Sequence, residues 1–527
     1  MTTGTVTSSE AAVTSPGKGD NRLPPQIKFI IANEACERFS YYGVIAILTL
    51  YVKNFLEQGP SKAAEISHLF KFGVYFMPLF GAWLSDRVLG RYKTILYVSL
   101  FYCAGHGLMA LADVFCPLTT KPTEVGAALD AWKTLNQGNI DGRMWFLFGG
   151  LSLLAFGGGG IKPCVAAFVG DQFHAGKEHL LERAYGLFYW SINFGSFFSF
   201  LVVPLVRDRY GYGWAFGIPG IFMGIATLVF WLGTKHYVHV APAKGKDGGA
   251  FWDMLWYALC HPANRRSGHG FWDACRTQYT EVQIEAARAA TRVLGVFSLI
   301  PFFWALWDQN STTWVVQGEK MIAYEFPAWL RTSFVWPAFD FIVGPKIGAE
   351  QMGSLNALLV MLTIPALTFG IYPFSRMLGV RPTTLRRMGV GMFLCAASFL
   401  LVAWIEAQLV AGSKLNVLLQ TWPYLLLTIG EVLVSNTALE FAFREAPVSM
   451  RSTLMSFWLL TVAVGNLAVS QVFRLNVKAK LPDGTELLHI SGVNQFLLFA
   501  GLLGAVSVAF VWVIHRYQYR DHTQHSA

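Results

Sequence analysis

Stretches of about 20 apolar residues, the length that crosses the hydrocarbon core of a bilayer, recur along most of the chain. Six precede a polar interval, at 27–52, 66–86, 93–113, 143–169, 185–206 and 213–235. Six follow it, at 289–316, 350–376, 384–407, 420–444, 451–475 and 494–516. The pattern predicts an all-α polytopic membrane protein with twelve transmembrane helices in two six-helix bundles. Two such halves place a binding site between them near mid-membrane.

The six-plus-six pattern also divides the chain into regions. We expect a disordered cytoplasmic tail at 1–26, an N-terminal six-helix bundle at 27–238, a cytoplasmic linker at 239–288, a C-terminal six-helix bundle at 289–518 and a cytoplasmic tail at 519–527. The N-terminal tail is rich in Thr, Ser, Gly and Pro, which bury too little apolar surface to fold.

Shorter apolar segments lie between the predicted spans. The segment 251–259, inside the linker, is too short to span and is predicted to form an amphipathic helix on the membrane surface. In the segment 334–343, Pro337 and Asp340 favour a packed external loop over a thirteenth span. The longer intervals 114–142 and 317–349 are likewise expected to be external loops.

Composition and charge fit a membrane protein and give its orientation. Hydrophobic residues make up 54% of the 527 residues and charged residues 14%, values that exclude a soluble globular protein. The net charge of +9 comes from cations in short loops, which mark the cytoplasmic side rather than a nucleic-acid site. These cations include Arg87, Arg91, Lys93, Lys177, Arg183, Arg376, Arg381, Arg386, Arg387, Arg444 and Arg451. We therefore expect both termini in the cytoplasm, the lipid bilayer as a partner and no nucleic-acid partner.

The first apolar stretch carries charges that a lipid-facing helix does not tolerate. At about 100° per residue, Glu34, Glu37, Arg38, Tyr41 and Tyr42 fall on one side of a helix whose other side is apolar. Ionisable groups inside a membrane helix are costly and usually face a protein interior or a wet cavity. A structural i,i+4 pair of Glu34 with Arg38 is the alternative, but three charges exceed what that pair needs. The stripe therefore indicates a functional site.

Further polar residues lie within the other predicted helices. Lys162 follows four glycines and is far from either end of its helix, which favours a cavity-facing role. The glycines at 157–160 indicate close helix approach rather than a phosphate loop, because the GKS/T ending is absent. His68 is equally compatible with a titrating group and with a structural histidine. The remaining candidates are Tyr75, Asn193, Trp304, Asp308, Asn356, Glu431, Ser435 and Trp458.

The division of charge between the two halves suggests the substrate. Arg38 and Lys162 belong to the N-terminal half and Glu431 to the C-terminal half. If the halves face each other, one wall of the cavity is positive and the other is negative. That field suits a zwitterion with separated carboxylate and ammonium groups, while tyrosines and tryptophans line side-chain pockets.

Four motifs carry a resemblance to known families. The loop GAWLSDRVLGRYK at 81–93 resembles the signature loop between helices 2 and 3 of the major facilitator superfamily. The motifs EACERFSYYG at 34–43, IKPC at 161–164 and FYWSINFGS at 188–196 resemble the proton-dependent oligopeptide transporter family. The resemblance covers nearly all twelve predicted spans. It implies the major facilitator fold and a bacterial symporter for di- and tripeptides.

The resemblance also implies roles for individual residues. Arg38 and Lys162 would bind the peptide carboxylate, and Glu431 would bind the amino terminus. The other implied substrate-binding residues are Tyr42, Tyr75, Asn193, Trp304, Asn356 and Trp458, to which we add Ser435 from its place on the predicted helix of Glu431. The implied proton-coupling residues are Glu34, Glu37, Arg38, His68 and Asp308.

Three departures from the family pattern qualify these expectations. Position 45 is Ile, where several bacterial relatives carry an arginine, so we expect a simpler proton-site network. The linker lacks a second pair of apolar helices, which keeps the predicted count at twelve. The interval 408–419 is a short loop, where animal members carry a large external domain, and this favours a bacterial inner membrane.

The predicted activity is proton-coupled import of di- and tripeptides by alternating access. We expect protons as the coupling ion, no other cofactor, no metal and a functional monomer. A symporter for another anion or zwitterion is the alternative of the same class, although an anion alone has no need of the acidic Glu431. A membrane enzyme is disfavoured because no nucleophile–base pair or metal-ligand cluster is evident. A receptor is disfavoured because neither terminus is long enough for a signalling domain.

Overall fold

The computed structural model describes residues 23–122, 126–173, 180–239, 250–262, 270–379, 383–445, 451–478 and 492–517. Most of the predicted N-terminal tail, the predicted C-terminal tail and parts of the linker therefore lie outside the described residues. Helices make up most of the described chain.

We label the long helices of the described residues α1 to α12. Those before the linker are α1 Ile27–Leu50, α2 Gly59–Phe76, α3 Arg91–Phe115, α4 Ala127–Asp171, α5 Leu181–Tyr210 and α6 Tyr212–Leu232. Those after it are α7 Glu281–Phe297, α8 Gly353–Pro365, α9 Thr384–Val410, α10 Thr421–Glu445, α11 Arg451–Lys478 and α12 Gly492–Arg516.

Shorter elements extend or connect these helices. The short α-helices are Pro78–Leu84, Ala250–Cys260, Ile300–Trp307, Thr313–Gly318, Ala328–Arg331, Trp336–Ile342 and Tyr372–Met377. The 3₁₀ turns are Gly233–His236, Phe271–Thr277, Asp308–Ser311, Glu350–Met352 and Val417–Gln420, and the π turns are Tyr51–Phe55, Ser85–Leu89 and Ala366–Ile371. Two short strands, Tyr324–Glu325 and Lys346–Ile347, pair antiparallel with Tyr324 opposite Ile347.

Ten helical spans within the described residues are long and apolar enough to cross a membrane. The helices α1 and α2 are not among them because each carries at least three charged residues along its length. These are Glu34, Glu37 and Arg38 in α1, and Lys62, Glu65 and Lys71 in α2. Most of these charges are buried inside the protein, so lipid does not have to solvate them. The ten apolar spans and the two charged helices together make the predicted twelve.

The N-terminal helices and the C-terminal helices each pack around a main hydrophobic core of their own. One core draws its buried residues from Ile27 to Tyr237. The other draws them from Phe251 to Phe510, and Ala64 of α2 joins it. The two bundles meet where α2 packs against α11 and where α5 packs against α8.

Glycines allow close contact between α4 and the segment that follows α2. A Cβ atom at Gly159 would lie 2.1 Å from Met77 Cβ, and one at Gly81 would lie 2.6 Å from the Gly159 carbonyl oxygen. The predicted role of these glycines in helix approach is therefore confirmed. Gly90 precedes α3 with a φ of 78°, a conformation that favours glycine. The side chain of Asp86 in the same loop lies outside the described residues.

The helix α4 corrects the predicted external loop at 114–142. It begins at Ala127, well before the predicted start at 143, because Trp132, Asn136, Ile140 and Arg143 form a buried stripe at a spacing of three to four residues. Asn136 and Trp132 hydrogen-bond to Thr119 in the preceding segment. The helical period was present in the sequence, but its polar composition concealed it.

The apolar segment of the linker forms the helix Ala250–Cys260, as predicted. Its residues Phe251 and Met254 are buried in the C-terminal core, whereas Trp252 and Trp256 are exposed. The position of this helix on a membrane surface stays a prediction.

The segment 334–343 differs from the packed external loop that was predicted. It contains the helix Trp336–Ile342, in which Pro337 occupies the first turn, where its missing N–H costs nothing. Phe334 and Phe341 are 95% and 74% exposed, so the segment is less packed than expected. With seven residues this helix is too short to span a membrane, and no thirteenth span arises here.

Candidate functional site

Three charged residues of α1 form a buried cluster with Lys162 of α4. Arg38 Nε lies 2.7 Å from Glu34 Oε1 and 3.2 Å from Glu37 Oε2. Lys162 Nζ lies 3.8 Å from Glu37 Oε1. Glu34 and Glu37 are 1% and 0% exposed, so the two cations compensate charges that water does not reach. The structure thus brings together the charged residues predicted from two distant motifs.

The glycine of the third motif allows α5 to approach this cluster. A Cβ atom at Gly195 would lie 2.3 Å from the Ala35 carbonyl oxygen and 3.1 Å from Arg38 Cβ. A larger residue would push α5 away from α1 at the level of the charges. The glycine therefore sets the width of the bundle at the candidate site.

Aromatic rings rather than hydrogen-bond acceptors surround the Lys162 ammonium. Its Nζ lies 4.4 Å from the ring centroid of Tyr41 and 5.6 Å from that of Tyr75, both within cation–π range. The Nζ makes no hydrogen bond to any of the described residues. An ammonium group held in this way keeps its donors free for an anionic ligand.

The C-terminal bundle contributes an acid that belongs to no ion pair within the described residues. Asn356 Nδ2 of α8 donates a hydrogen bond to Glu431 Oε2 of α10 at 2.7 Å, and it lies 3.1 Å from Thr428 Oγ1. Ser435 is one turn further along α10, and its Oγ has no partner in the described part of the chain. The predicted residues Asn356 and Glu431 are therefore in direct contact.

The two predicted tryptophans pack against each other. The ring centroids of Trp304 and Trp458 are 5.8 Å apart with an interplanar angle of 74°. Trp307, which the sequence analysis did not single out, lies 5.4 Å from Trp304 at 81°. Trp304 Nε1 finds no acceptor among the described residues, whereas the indole of Trp307 interacts with the Glu431 carboxylate. These rings form an apolar wall in which the indole N–H of Trp304 is available as a donor.

One cavity joins the two bundles at this level. Tyr42 and Tyr75 line it from the N-terminal bundle, and Trp307, Asp308 and Asn356 line it from the C-terminal bundle. The other predicted substrate-binding residues are not among its lining residues; these are Arg38, Lys162, Asn193, Trp304, Glu431, Ser435 and Trp458.

Asn193 is instead satisfied within its own helix. Its Nδ2 donates to the Tyr189 carbonyl oxygen at 3.0 Å. The resemblance implies that Asn193 and Asn356 both bind the substrate, but no hydrogen bond joins them among the described residues, and each amide is engaged elsewhere.

A buried network beside this cavity connects α2 with α11 and the segment after α7. Lys71 Nζ lies 2.6 Å from Asp308 Oδ1, and Asn466 Nδ2 donates to Asp308 Oδ2 at 2.7 Å. His68 Nδ1 lies 2.8 Å from Asn466 Oδ1, which as an amide oxygen accepts the imidazole proton. The predicted proton-coupling residues His68 and Asp308 are thus linked through Asn466.

The contacts of His68 suit a neutral imidazole. With the proton on Nδ1, the Nε2 atom is free to accept, and Gln309 Nε2 lies 3.2 Å from it. Thr312 Oγ1 lies 3.3 Å from the same atom. A second proton on the ring would make Nε2 a donor, so the N–H of His68 would face the N–H of Gln309 with no acceptor between them.

Lys71 is the functional candidate that the sequence analysis missed. It was hidden among apolar residues, but the spacing of His68, Lys71 and Tyr75 places all three on one face of α2. Lys71 and Ile45 line the same cavity as Asp308. The helix α2 thus supplies a cation near Ile45, and the expectation of a simpler proton-site network stays a prediction.

Three of the four ion pairs between the two bundles, among the described residues, lie toward one side, and the fourth, Lys71–Asp308, lies deeper, beside the cavity. That side is where α1 and α5 end and where α2 and α8 begin. These three pairs are Lys53–Glu319, Arg207–Glu350 and Arg209–Asp340. The bundles are thus closed together on one side of the candidate site.

Comparison with known proteins identifies the relatives of this chain. The family model for the POT family matches residues 92–487. Solute carrier family 15 member 2 from Rattus norvegicus is 36% identical over 397 residues, and the protein of the same name from Homo sapiens is 36% identical over 406 residues. These matches cover 73% and 75% of this chain and 49% and 50% of the relatives. The chain therefore spans about half the length of the curated relatives it matches.

Two solved structures match over nearly their whole length. An auto-inhibited POT family peptide transporter has 35% identity and a TM-score of 0.79, with 95% of this chain and 98% of that chain covered. The POT family transporter PepTSo has 34% identity and a TM-score of 0.77, with 95% and 99% covered. The similarity confirms the predicted fold class. The relatives are transporters and not enzymes, in agreement with the expectation from the sequence.

Proposed function

This chain belongs to the POT family, and we propose that it is a proton-coupled symporter that imports di- and tripeptides by alternating access. The observation that carries the proposal is the opposition of charge across the bundles. Arg38 and Lys162 stand on the N-terminal side and Glu431 on the C-terminal side. A peptide with free ends carries a carboxylate for the two cations and an ammonium group for the acid.

The remaining predicted residues would complete the binding site. Asn356 would give up its hydrogen bond to Glu431 and bond the peptide backbone instead. Asn193 would bond the backbone from the opposite side once its own intrahelical hydrogen bond is broken. Ser435 would offer its hydroxyl next to the acid. Pockets for the side chains of the peptide would be lined by the aromatic residues Tyr42, Tyr75, Trp304 and Trp458.

Proton coupling would arise where Arg38 is shared between acids and substrate. In the structure both Glu34 and Glu37 hold its guanidinium. A proton on one carboxylate removes part of that attraction, so Arg38 becomes available to the peptide carboxylate. Lys162 would exchange between Glu37 and the substrate in the same way. Because such linkage is reciprocal, bound peptide would also favour the bound proton.

A second coupling step would involve His68 and Asp308. Protonation of His68 at Nε2 would oppose the N–H group of Gln309 and weaken the contact between the bundles. Separation there would also release Lys71 from Asp308 and expose the cavity on that side. Proton binding would therefore promote opening of the closed side, as alternating access requires.

The protein is a multi-pass membrane protein, and we place it in a bacterial inner membrane with both termini in the cytoplasm. The short basic loops support this orientation, and a single copy would suffice for transport because one chain supplies both walls. The side joined by Lys53–Glu319 and Arg207–Glu350 would then face outward. The structure would represent a state closed to the outside, with bundles at 27–238 and 289–518 on either side of the linker 239–288.

Uptake by proteoliposomes tests the proposal. An acidic exterior should drive accumulation of labelled dialanine by the purified protein, and a protonophore should abolish it. Unlabelled di- and tripeptides should compete, whereas tetrapeptides and nitrate should not. Competition by nitrate alone would favour the alternative symporter, and no gradient-driven uptake of any of these solutes would refute transport.

The proton assignment needs a separate variant. Glu37→Gln should abolish uphill uptake while the protein still exchanges dialanine at equal pH on both sides. Glu325→Gln, an exposed glutamate in a short strand, is the matched control and should behave as wild type. Normal uphill uptake by well-expressed Glu37→Gln would contradict the role of Glu37.

A further inference from the structure

Buried polar groups lie on α3 behind the carboxylate cluster, and the proposed mechanism leaves them unused. Tyr102 and His106 are one turn apart and are 1% and 0% exposed. Tyr102 Oη and His106 Nε2 have no hydrogen-bond partner among the described residues. Buried polar atoms are nearly always hydrogen-bonded, because an unmet bond is costly. Two of them together next to a charged site call for a functional explanation.

The Tyr102 ring and the Glu37 carboxylate lie against the same glycine. A Cβ atom at Gly158 would be 3.1 Å from Tyr102 Cε2 and 3.8 Å from Glu37 Oε1. Both oxygens of Glu37 stand near cations, yet neither accepts a hydrogen bond from the described residues. A tyrosine hydroxyl without an acceptor therefore neighbours a carboxylate without a donor.

His106 adds an unpartnered acceptor beside the ring of Tyr102. Its ring centroid is 5.5 Å from that of Tyr102. His106 Nδ1 lies 2.9 Å from the Phe216 carbonyl oxygen, which can only accept, so Nδ1 carries the proton. The Nε2 lone pair of the neutral ring then remains unused inside the bundle.

An unpaired hydroxyl by itself does not mark a site, as Tyr237 shows. Its Oη is also buried and has no partner in the described part of the chain. It packs against the rings of Phe168 and Phe230 at the end of α6, away from the carboxylate cluster. The neighbouring carboxylate is what distinguishes Tyr102.

We propose that Tyr102 is a positioning residue for proton coupling, whose hydroxyl becomes the hydrogen-bond partner of Glu37 when Arg38 and Lys162 move to the substrate. A tyrosine hydroxyl both donates and accepts. It can therefore donate to the ionised carboxylate and accept from the protonated carboxyl group. The proposal rests on the proton-coupled transport proposed above.

The strength of the two hydrogen bonds sets the direction of the effect. The bond to the ionised carboxylate is charge-assisted and is the stronger of the two. Loss of the hydroxyl therefore favours the protonated carboxyl group. The titratable and charged groups that face this region are Glu34, Glu37, Arg38, Tyr41 and Tyr42 on α1, Tyr75 on α2, Cys103 and His106 on α3, and Lys162 on α4.

The test compares Tyr102→Phe with Tyr237→Phe in proteoliposomes. Exchange of labelled dialanine is measured at equal internal and external pH over a series of pH values. For Tyr102→Phe, the pH of half-maximal exchange should rise by about one unit, a tenfold change in proton affinity. For Tyr237→Phe, which also loses one buried hydroxyl, it should not move. Tyr102→Met serves as a second hydroxyl-free variant if Tyr102→Phe is not recovered.

A double variant separates coupling to Glu37 from a general structural effect. In a Glu37→Gln background, Tyr102→Phe should cause no further shift in the pH profile. Equal profiles for Tyr102→Phe, Tyr237→Phe and wild type would overturn the proposal, and so would a shift that persists without Glu37. Failure of the wild-type protein to exchange dialanine would instead refute the proposed function itself.

Discussion

Lys71 on α2 and Asp308 after α7 form a buried ion pair between the two bundles, with 2.6 Å between Nζ and Oδ1. Their side chains are 3% and 5% exposed. Ser311 Oγ also accepts from Lys71, at 2.6 Å, and Asn466 donates to the second oxygen of Asp308. A buried pair with these additional hydrogen bonds holds the bundles in register beside the cavity.

Removal of one partner of this pair should destabilise the protein. Lys71→Met leaves the Asp308 carboxylate buried without a cation, a change that costs roughly 3–5 kcal/mol where it has been measured. We expect a clearly lower unfolding temperature in detergent. Lys71→Met combined with Asp308→Leu should recover part of the loss, since no uncompensated charge remains. Additive losses in the double variant would show that the two residues act separately.

Replacement of His68 by glutamine should separate transport from proton coupling. The glutamine amide can donate to Asn466 and accept from Gln309, so it imitates the neutral imidazole but cannot bind a proton. We expect the His68→Gln variant to exchange dialanine normally at equal pH. Its gradient-driven uptake should fall at least tenfold. Gradient-driven uptake at the wild-type level would restrict His68 to a structural role.

Much of the fold was predictable because the physical constraints are local. The length of a bilayer-spanning helix appears directly in the apolar stretches, and the glycines at 157–160 directly indicated close packing. The start of α4 was missed because the Trp132–Arg143 stripe is polar enough to resemble a loop. Its helical face became evident only with the contacts to Thr119.

The candidate site was predictable where motifs carry it and obscure where tertiary contacts create it. Glu37 and Lys162 were identified from their motifs, and the structure places them in one cluster. Lys71 has no motif of its own, and its importance depends on Asp308, which is distant in the chain. The self-contained hydrogen bond of Asn193 could not be read from the sequence, because an asparagine in a helix can bond in either direction.

Acidification should loosen the linker through Asp273. Burial acts to raise the pKa of its carboxyl group, but the hydrogen bond from Arg276 and the charge of Arg288 outweigh burial and hold the pKa below its usual value. The stabilisation is therefore complete above the unfolded-state pKa of about 3.9 and is lost as the pH falls through the lower folded-state value. Hydrogen exchange at residues 270–279, corrected for intrinsic rates, should increase in that range.

Two variants check the origin of this effect. Asp273→Asn should give faster exchange in the same segment already at neutral pH. Asp253→Asn changes an exposed aspartate of the same linker and should leave the exchange unchanged. An unaltered profile for Asp273→Asn would show that packing of Trp272 alone holds the segment.

Chemical modification of the peptide ends should reveal which wall binds which end. If Glu431 binds the ammonium group, acetylation of the dipeptide should weaken its binding to the wild-type protein. In Glu431→Gln the free dipeptide should bind about 10- to 100-fold more weakly, as expected for loss of a hydrogen bond to a charged group. The acetylated dipeptide should be affected much less, so discrimination between the two peptides should nearly vanish.

The cationic wall provides the opposite control for this experiment. Lys162→Gln should weaken binding of the free dipeptide but not of its C-terminal amide, because only the former presents a carboxylate to the ammonium group. Competition with dialanine exchange measures each peptide: the free and the acetylated dipeptide with Glu431→Gln, and the free dipeptide and its C-terminal amide with Lys162→Gln. If Glu431→Gln weakened free and acetylated peptides equally, the acid would shape the cavity through Asn356 rather than bind the amino terminus. The two proposed walls can thus be assigned independently. Glu431→Gln should leave binding of the acetylated dipeptide nearly unchanged, and Lys162→Gln should leave binding of the amide unchanged.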